Sequence, residues 1–287
     1  MQQLILKVNK LQQLTSGIKR FEFVSPVGDD LPVFTAGAHL DFHLDNGLIR
    51  SYSLANNPEE SNRYVTAVLR EETGGGGSKY MHDNVSVGDE LKVTGPSNNF
   101  ELADIPGTHI LLGGGIGITP LLAMGHKLKA ENRPRHLHYC TKSREETAFV
   151  EEVEQIFGDN LTFYHDGGDP SKGINLKETI GVQTIDANLY ICGPTGLLSA
   201  ARDVTSHWTV GSVHFELFQS TKSKEEKAAE AKLDNRNQAF EVELAQSGRT
   251  LMIPEDKSIL QVLWENEIEV LHACEEGWCG NCVVDYL

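Results

Sequence analysis

Up to about residue 103, apolar and polar positions alternate in short runs: LILKVNKLQQL, IKRFEFVSP, HLDFHLDNG, RYVTAVLRE and DELKVTGP, separated by Gly, Asn, Asp or Pro. In His39-Leu40-Asp41-Phe42-His43-Leu44 every second residue is apolar, the period of a strand with one buried face. Runs of this kind predict an antiparallel β-barrel or sandwich over residues 1–103. The pattern then changes. HILLGGGIGITPLLAMGHKLKAE reads as an apolar strand, a glycine turn and a helix, followed by the strand RHLHYCTK and the helix EETAFVEEVEQIFG. LTFYHDG, NLYICGP and SVHFELF are further strands, so residues 104–218 predict a doubly wound parallel α/β domain.

Residues 219–237, QSTKSKEEKAAEAKLDNRN, are charged and nearly free of large apolar side chains, as in a linker. Beyond them AFEVELAQSGRTLMIPE predicts a hairpin. Ser258 and Gln261 then have the capping-box spacing ahead of the apolar helix SILQVLWENEI. Residues 238–287 are thus a third domain.

The 287 residues exceed what one core ordinarily serves, and 39% hydrophobic content is that of a globular protein. No run approaches the ~18 consecutive apolar residues of a membrane helix, and the N-terminus lacks the basic region and cleavage site of a signal peptide. A net charge of −16 without a basic stripe argues against nucleic acid. Residues 238–287 hold ten Asp/Glu against two Lys/Arg, half of that net charge, a field that could steer a basic protein partner. Five cysteines, two of them isolated (Cys140 and Cys192), form a poor disulfide framework and fit a reducing cytoplasm.

Five motifs carry candidate chemistry. GGGIGITP, at Gly113 to Pro120 between a strand and a helix, lets backbone N–H groups face a phosphate or dinucleotide, although a tight packing turn would look similar. CGPTG, starting at Cys192, puts a second turn at the carboxyl edge of the same sheet, where ligands of doubly wound folds bind. RSYS (Arg50 to Ser53) precedes a strand and is a weak signal alone. GGGGS (Gly74 to Ser78) is either a flexible hairpin loop or a nest of N–H groups for a phosphate. Near the C-terminus, Cys274, Cys279 and Cys282 are spaced C-x4-C-x2-C. Zinc and disulfides are alternatives, but structural zinc favours C-x2-C pairs, whereas this is the plant-type 2Fe-2S spacing. Gly277 and Gly280 would let loop N–H groups approach the cluster sulfurs.

The order RSYS, GGGGS, GGIGITP, CGP, HFELF, linker, C-x4-C-x2-C resembles, over essentially the whole chain, the phthalate dioxygenase reductase family of the ferredoxin–NADP reductase-like superfamily. The resemblance implies a flavin barrel, a nicotinamide domain and a β-grasp ferredoxin-like domain. It implies that Arg50, Tyr52 and Ser53 contact the flavin ring and ribityl phosphate, and that Thr66, Ala67 and Val68 line the ring. Gly76, Gly77 and Ser78 would hold the phosphate of FMN, preferred over FAD; the family loop has Arg where this chain has Gly75. Gly114, Gly115, Gly117 and Thr119, with Cys192, Gly193 and Pro194, would hold the nicotinamide side, and Phe218 would lie where nicotinamide stacks. NADH is preferred over NADPH, although YCTKSREE offers basic residues to a 2′-phosphate.

The implied activity converts a two-electron donor into single electrons. Hydride passes from NADH to flavin, and electrons go on through the 2Fe-2S cluster to a terminal oxygenase of Rieske type. Hydride transfer needs positioning and no acid–base residue, so none is assigned. A stand-alone NAD(P)H flavin or ferric reductase would leave the three cysteines idle, and a zinc-stapled interaction module is the non-enzymatic alternative. The plant-type pattern places its fourth cysteine well downstream of Cys282, where this chain has none. The resulting expectation is an incomplete ferredoxin domain that binds a labile cluster or none.

Overall fold

The computed structural model describes residues 2–73, 75–218, 238–245, 247–266 and 268. The proposed linker and the three clustered cysteines lie outside these residues. By its internal contacts the chain divides into a first unit, residues 1–218, and a second, residues 219–287.

The first half of the first unit is one antiparallel sheet. Its strands are β1 (Gln3–Gln13), β2 (Ile18–Val24), β3 (His39–His43), β4 (Ile49–Ser53), β5 (Tyr64–Leu69) and β6 (Glu90–Ser97), in the order β4-β3-β6-β1-β2-β5. The alternation seen in the sequence sets the inner face. Leu6, Val8, Phe21, Phe23, Leu40, Phe42 and Val93 are all fully buried there. Each such side chain contributes about 1.5–3 kcal/mol by leaving water. The edge strands meet beyond β4, where Ala55 N–H donates to Val65 O (2.8 Å) and Thr66 Oγ1 to Ser53 O (2.8 Å), so the sheet curls into a barrel.

Two elements differ from the sequence reading. RSYS does not precede a strand; it belongs to β4 itself. The residues after the glycine run form helix α1 (Gly77–Asn84), which begins in the loop and packs Met81 into the barrel core.

The second half is a five-stranded parallel sheet. Its elements are β7 (His109–Gly114), α2 (Ile118–Ala130), β8 (Arg135–Thr141), α3 (Val150–Phe157), β9 (Leu161–His165), α4 (Leu176–Ile180), β10 (Asn188–Cys192), α5 (Thr195–Thr205) and β11 (Val213–Glu216). The strand order is β11-β10-β7-β8-β9. After β7 the chain winds toward β8, and after β10 toward β11, so the topological switch point lies between β7 and β10. One hydrophobic cluster joins the halves: Ile18, Ala36, Ala55, Ala67 and Phe100 pack with Leu111, Ile118, Tyr139, Phe149 and Tyr190.

In the second unit, β12 (Phe240–Leu244) and β13 (Arg249–Ile253) pair as the predicted hairpin. Helix α6 (Ile259–Glu265) carries both halves of the capping box, Ser258 Oγ accepting from Gln261 N–H and Gln261 Oε1 from Ser258 N–H. Val262 and Leu263 pack on Leu251 and Ile253.

Candidate functional site

The first unit has two glycine-lined features, one in the barrel and one at the edge of the α/β sheet. On the barrel side, β4 holds Arg50 beside the turn leading into α1. The guanidinium donates to Ile49 O (2.7 Å) and Gly75 O (3.0 Å). A Cβ at Gly75 would lie 2.7 Å from Arg50 Nη2, and one at Gly77 would lie 2.4 Å from Arg50 Cγ. The glycines therefore make room for the arginine stem. Gly76 adopts a left-handed φ of 82° as N-cap of α1, which has no side-chain cap. First-turn N–H groups lack intrahelical acceptors and suit an anion. Ser78 Oγ accepts from Glu71 N–H (3.0 Å), which leaves its own proton for a phosphate oxygen.

Tyr52 is half-buried with its ring 5.6 Å from Phe42, and burial pushes its phenol up to about 12 against the opposing pull of Arg50. Thr66, Ala67 and Val68 are all buried in β5. Their side chains diverge: Thr66 is bonded to Ser53 O, Ala67 joins the shared cluster and Val68 the barrel core. Of the three, Val68 can offer a ligand little beyond its backbone.

On the α/β side the two predicted turns interlock at the carboxyl ends of β7 and β10. A Cβ on Gly114 would lie 2.6 Å from Pro194 Cδ, one on Gly193 2.9 Å from Gly114 Cα, and one on Gly117 2.2 Å from Cys192 O. Gly115, at φ 54°, has its carbonyl held by Tyr139 O–H (3.0 Å) and open space where a Cβ would stand. The turns thus stand at a switch point, where doubly wound sheets bind their ligands. Thr119 lies beside it but is buried, with its hydroxyl donating to Ile116 O (3.1 Å), so it braces the turn from inside. Phe218 ends the first unit with its ring exposed.

Between the turns and β4 stands Glu216, at the end of β11, which the motif reading missed. Its Oε2 is 4.0 Å from Cys192 Sγ, and the Ser53 hydroxyl lies near enough to its carboxylate to favour the charged form. The residue keeps some accessible surface, yet the carboxyl is crowded by protein on nearly every side. Burial pushes it up to about 8, with Ser53 opposing. Burial and the Glu216 charge likewise raise the Cys192 thiol, which stays protonated. Ser53 and Cys192 were singled out separately from two motifs; the fold brings them to one carboxyl group. The sign of Glu216 in the sequence is a single acid inside HFELF, one strand after the C-G-P turn.

The barrel and the second unit each match a known protein family. Residues 5–102 match the oxidoreductase FAD-binding domain, and residues 242–287 match the 2Fe-2S iron-sulfur cluster binding domain. The phthalate 4,5-dioxygenase oxygenase reductase subunit of Pseudomonas putida is 42% identical over 96% of this chain and 83% of its own length. The reductase subunit of a tert-butanol monooxygenase/tert-amyl alcohol desaturase from Aquincola tertiaricarbonis is 39% identical over 98% and 85%. A solved phthalate dioxygenase reductase, described as a modular structure for electron transfer from pyridine nucleotides to 2Fe-2S, superposes with a TM-score of 0.75 at 38% identity, covering 98% of this chain and 85% of that one. The chain belongs to the phthalate dioxygenase reductase family. Among the described residues no helix is long and apolar enough to cross a membrane.

Proposed function

We propose that this chain is the NADH-dependent reductase component of a Rieske-type oxygenase system, working in the cytoplasm with FMN and a 2Fe-2S cluster. The single observation that carries the reading is the meeting of Ser53 on the barrel with Cys192 and Glu216 on the α/β sheet, beside the interlocked glycine turns. When bound, the flavin accepts hydride from the nicotinamide and the cluster takes electrons singly to the oxygenase.

The chain's own residues supply position. Arg50 and the α1 N-terminus offer charge and N–H groups to one flavin phosphate, and Tyr52 offers a neutral aromatic face. The β7 and β10 turns hold the nicotinamide half with backbone alone, bringing its reactive carbon toward β4. Ser53 and Cys192 give the crevice a hydroxyl and a thiol, and Glu216 a carboxyl held largely protonated at neutral pH. Phe218 offers a ring where nicotinamide stacks, and Cys274, Cys279 and Cys282 are proposed cluster ligands. Buried Cys192 and half-buried Cys140, both free thiols, fit a reducing compartment.

NADH is preferred because each cation after β8 stands beside a carboxylate that opposes a further negative charge. Lys142 Nζ is 4.0 Å from Glu146, and Arg144 Nη2 is 3.4 Å from Glu154. Asp166, whose N–H donates to Thr141 O, adds negative charge beside the same loop. The test is to identify the flavin released from the purified chain and compare kcat/KM for the two nucleotides with ferricyanide as acceptor. FMN and at least a roughly tenfold preference for NADH, about 1.4 kcal/mol, are expected. FAD or a preference for NADPH would contradict those assignments, and a chain that takes up no flavin would remove the reading altogether.

A further inference from the structure

Arg20, on β2, belongs to none of the motifs above, yet it crosses from barrel to α/β sheet. Its Nη1 is 2.5 Å from Glu152 Oε1 on α3, and both side chains are largely shielded, at 17% and 31% exposure. Its guanidinium also lies over the ring of Phe149, with Cζ 5.8 Å from the centroid. Phe149 is buried and sits at φ 58°, a left-handed backbone that a bulky residue rarely adopts. Such conformations persist only where surroundings over-determine them. Arg20 supplies one such constraint by covering the ring and pairing one helical turn further on.

The strained residue is joined directly to the loop after β8. Thr147 Oγ1 donates to Ser143 O (2.8 Å) and is 2.7 Å from Thr141 Oγ1, at the end of β8. Arg20 therefore reaches, through Phe149 and Thr147, the carboxyl edge of the sheet. It stands opposite Ala67 in the barrel register, on the strand pair that faces the shared cluster.

Among the described residues, two further polar contacts between the halves bear on their angle. One is Ser53 with Glu216 on β11, an edge of the parallel sheet. The other is the connector, where Ala103 N–H donates to Tyr190 O–H (3.0 Å) and Arg133 Nη2 to Ala103 O (3.1 Å). The first fastens the sheet at its β11 edge, and the second at β10 and at the turn before β8. The Arg20 clamp engages α3, which packs on β8 and β9 toward the other edge, and so opposes rotation of the sheet about its β10–β11 side.

We propose that Arg20 is a positioning residue for hydride transfer: with Glu152 and Phe149 it fixes the angle between barrel and α/β sheet, and so the approach of the nicotinamide turns to β4. The proposal rests on the functional reading given above. It is tested on the full chain loaded with flavin and mixed anaerobically with NADH, using Arg20→Gln, Glu152→Gln and the double variant. Each single change is expected to slow flavin bleaching at saturating NADH about tenfold, within the ~10²-fold cost that an ångström of misplacement can carry. The double variant is expected to be no slower than the worse single one, because both break one contact. Flavin content, reduction by dithionite and melting temperature should stay near wild type. Unchanged rates in both singles, costs that multiply, or slowing that follows a fall in melting temperature would overturn the proposal. If Arg20→Gln does not fold, Glu152→Gln decides alone, by a tenfold slowing or its absence. Failure of the wild-type chain to bleach with NADH would instead refute the functional reading itself.

Discussion

The two glycine-rich features solve different packing problems. Around Gly75 and Gly77 the space is taken by one side chain, Arg50, whose stem has rotamers to spare. Around Gly114, Gly117 and Gly193 the neighbours are largely main chain, Cys192 O above all, together with the rigid ring of Pro194. A side chain yields to a new methyl group by turning, whereas two backbones at the ends of adjacent strands cannot separate without disturbing β7 and β10. GGGGS and GGGIGITP look alike in sequence, but only the second is an irreplaceable backbone contact.

The largest expected effect follows from that contrast. Gly117→Ala puts a Cβ 2.2 Å from Cys192 O, and should lower unfolding free energy by about 3 kcal/mol, the upper part of the overpacking range, as read by denaturant melts. Gly77→Ala, with its clash on Arg50 Cγ, should cost about 1 kcal/mol and act on flavin instead, weakening its affinity about fivefold through a displaced guanidinium. Fluorescence titration measures this. Equal losses of stability from the two substitutions would erase the distinction between side-chain and backbone clearance.

The pH-dependent effect belongs to the carboxyl beside Ser53 and Cys192. Glu216 has a folded-state value of about 8 against an ordinary 4.5, so the fold favours its protonated form. That contribution is fully present below pH 4.5 and is lost as pH rises through about 8. Glu216→Gln lacks the titration. Its melting temperature relative to wild type should therefore climb across that window, and a flat difference would show that the carboxyl is not held protonated.

Much of this was legible in the sequence because the relevant signals are periodic or local. The parallel unit announced itself through apolar strands alternating with helices, and Ser258 with Gln261 named the start of α6. β4 was hidden because IRSYS, exposed along one side at an edge, has no apolar alternation. α1 was hidden because GGGGS reads as a loop and SKYMHDN buries only Met81 of its own residues. Thr119 looked like part of a binding loop, yet helix geometry turns it inward. The Ser53–Cys192–Glu216 meeting joins residues far apart along the chain. Only the packing of β4 against the ends of β10 and β11 creates it, so no local pattern could announce it.

The central claim is that the interlocked turns serve the nicotinamide while a separate cradle serves the flavin. It is tested most directly by loading wild type and Gly117→Ala with flavin and mixing each anaerobically with NADH. The account predicts equal flavin content and a bleaching rate at least ~10²-fold lower in the variant, the cost of misplaced reactants. Equal rates, or a variant that has lost its flavin, would contradict it.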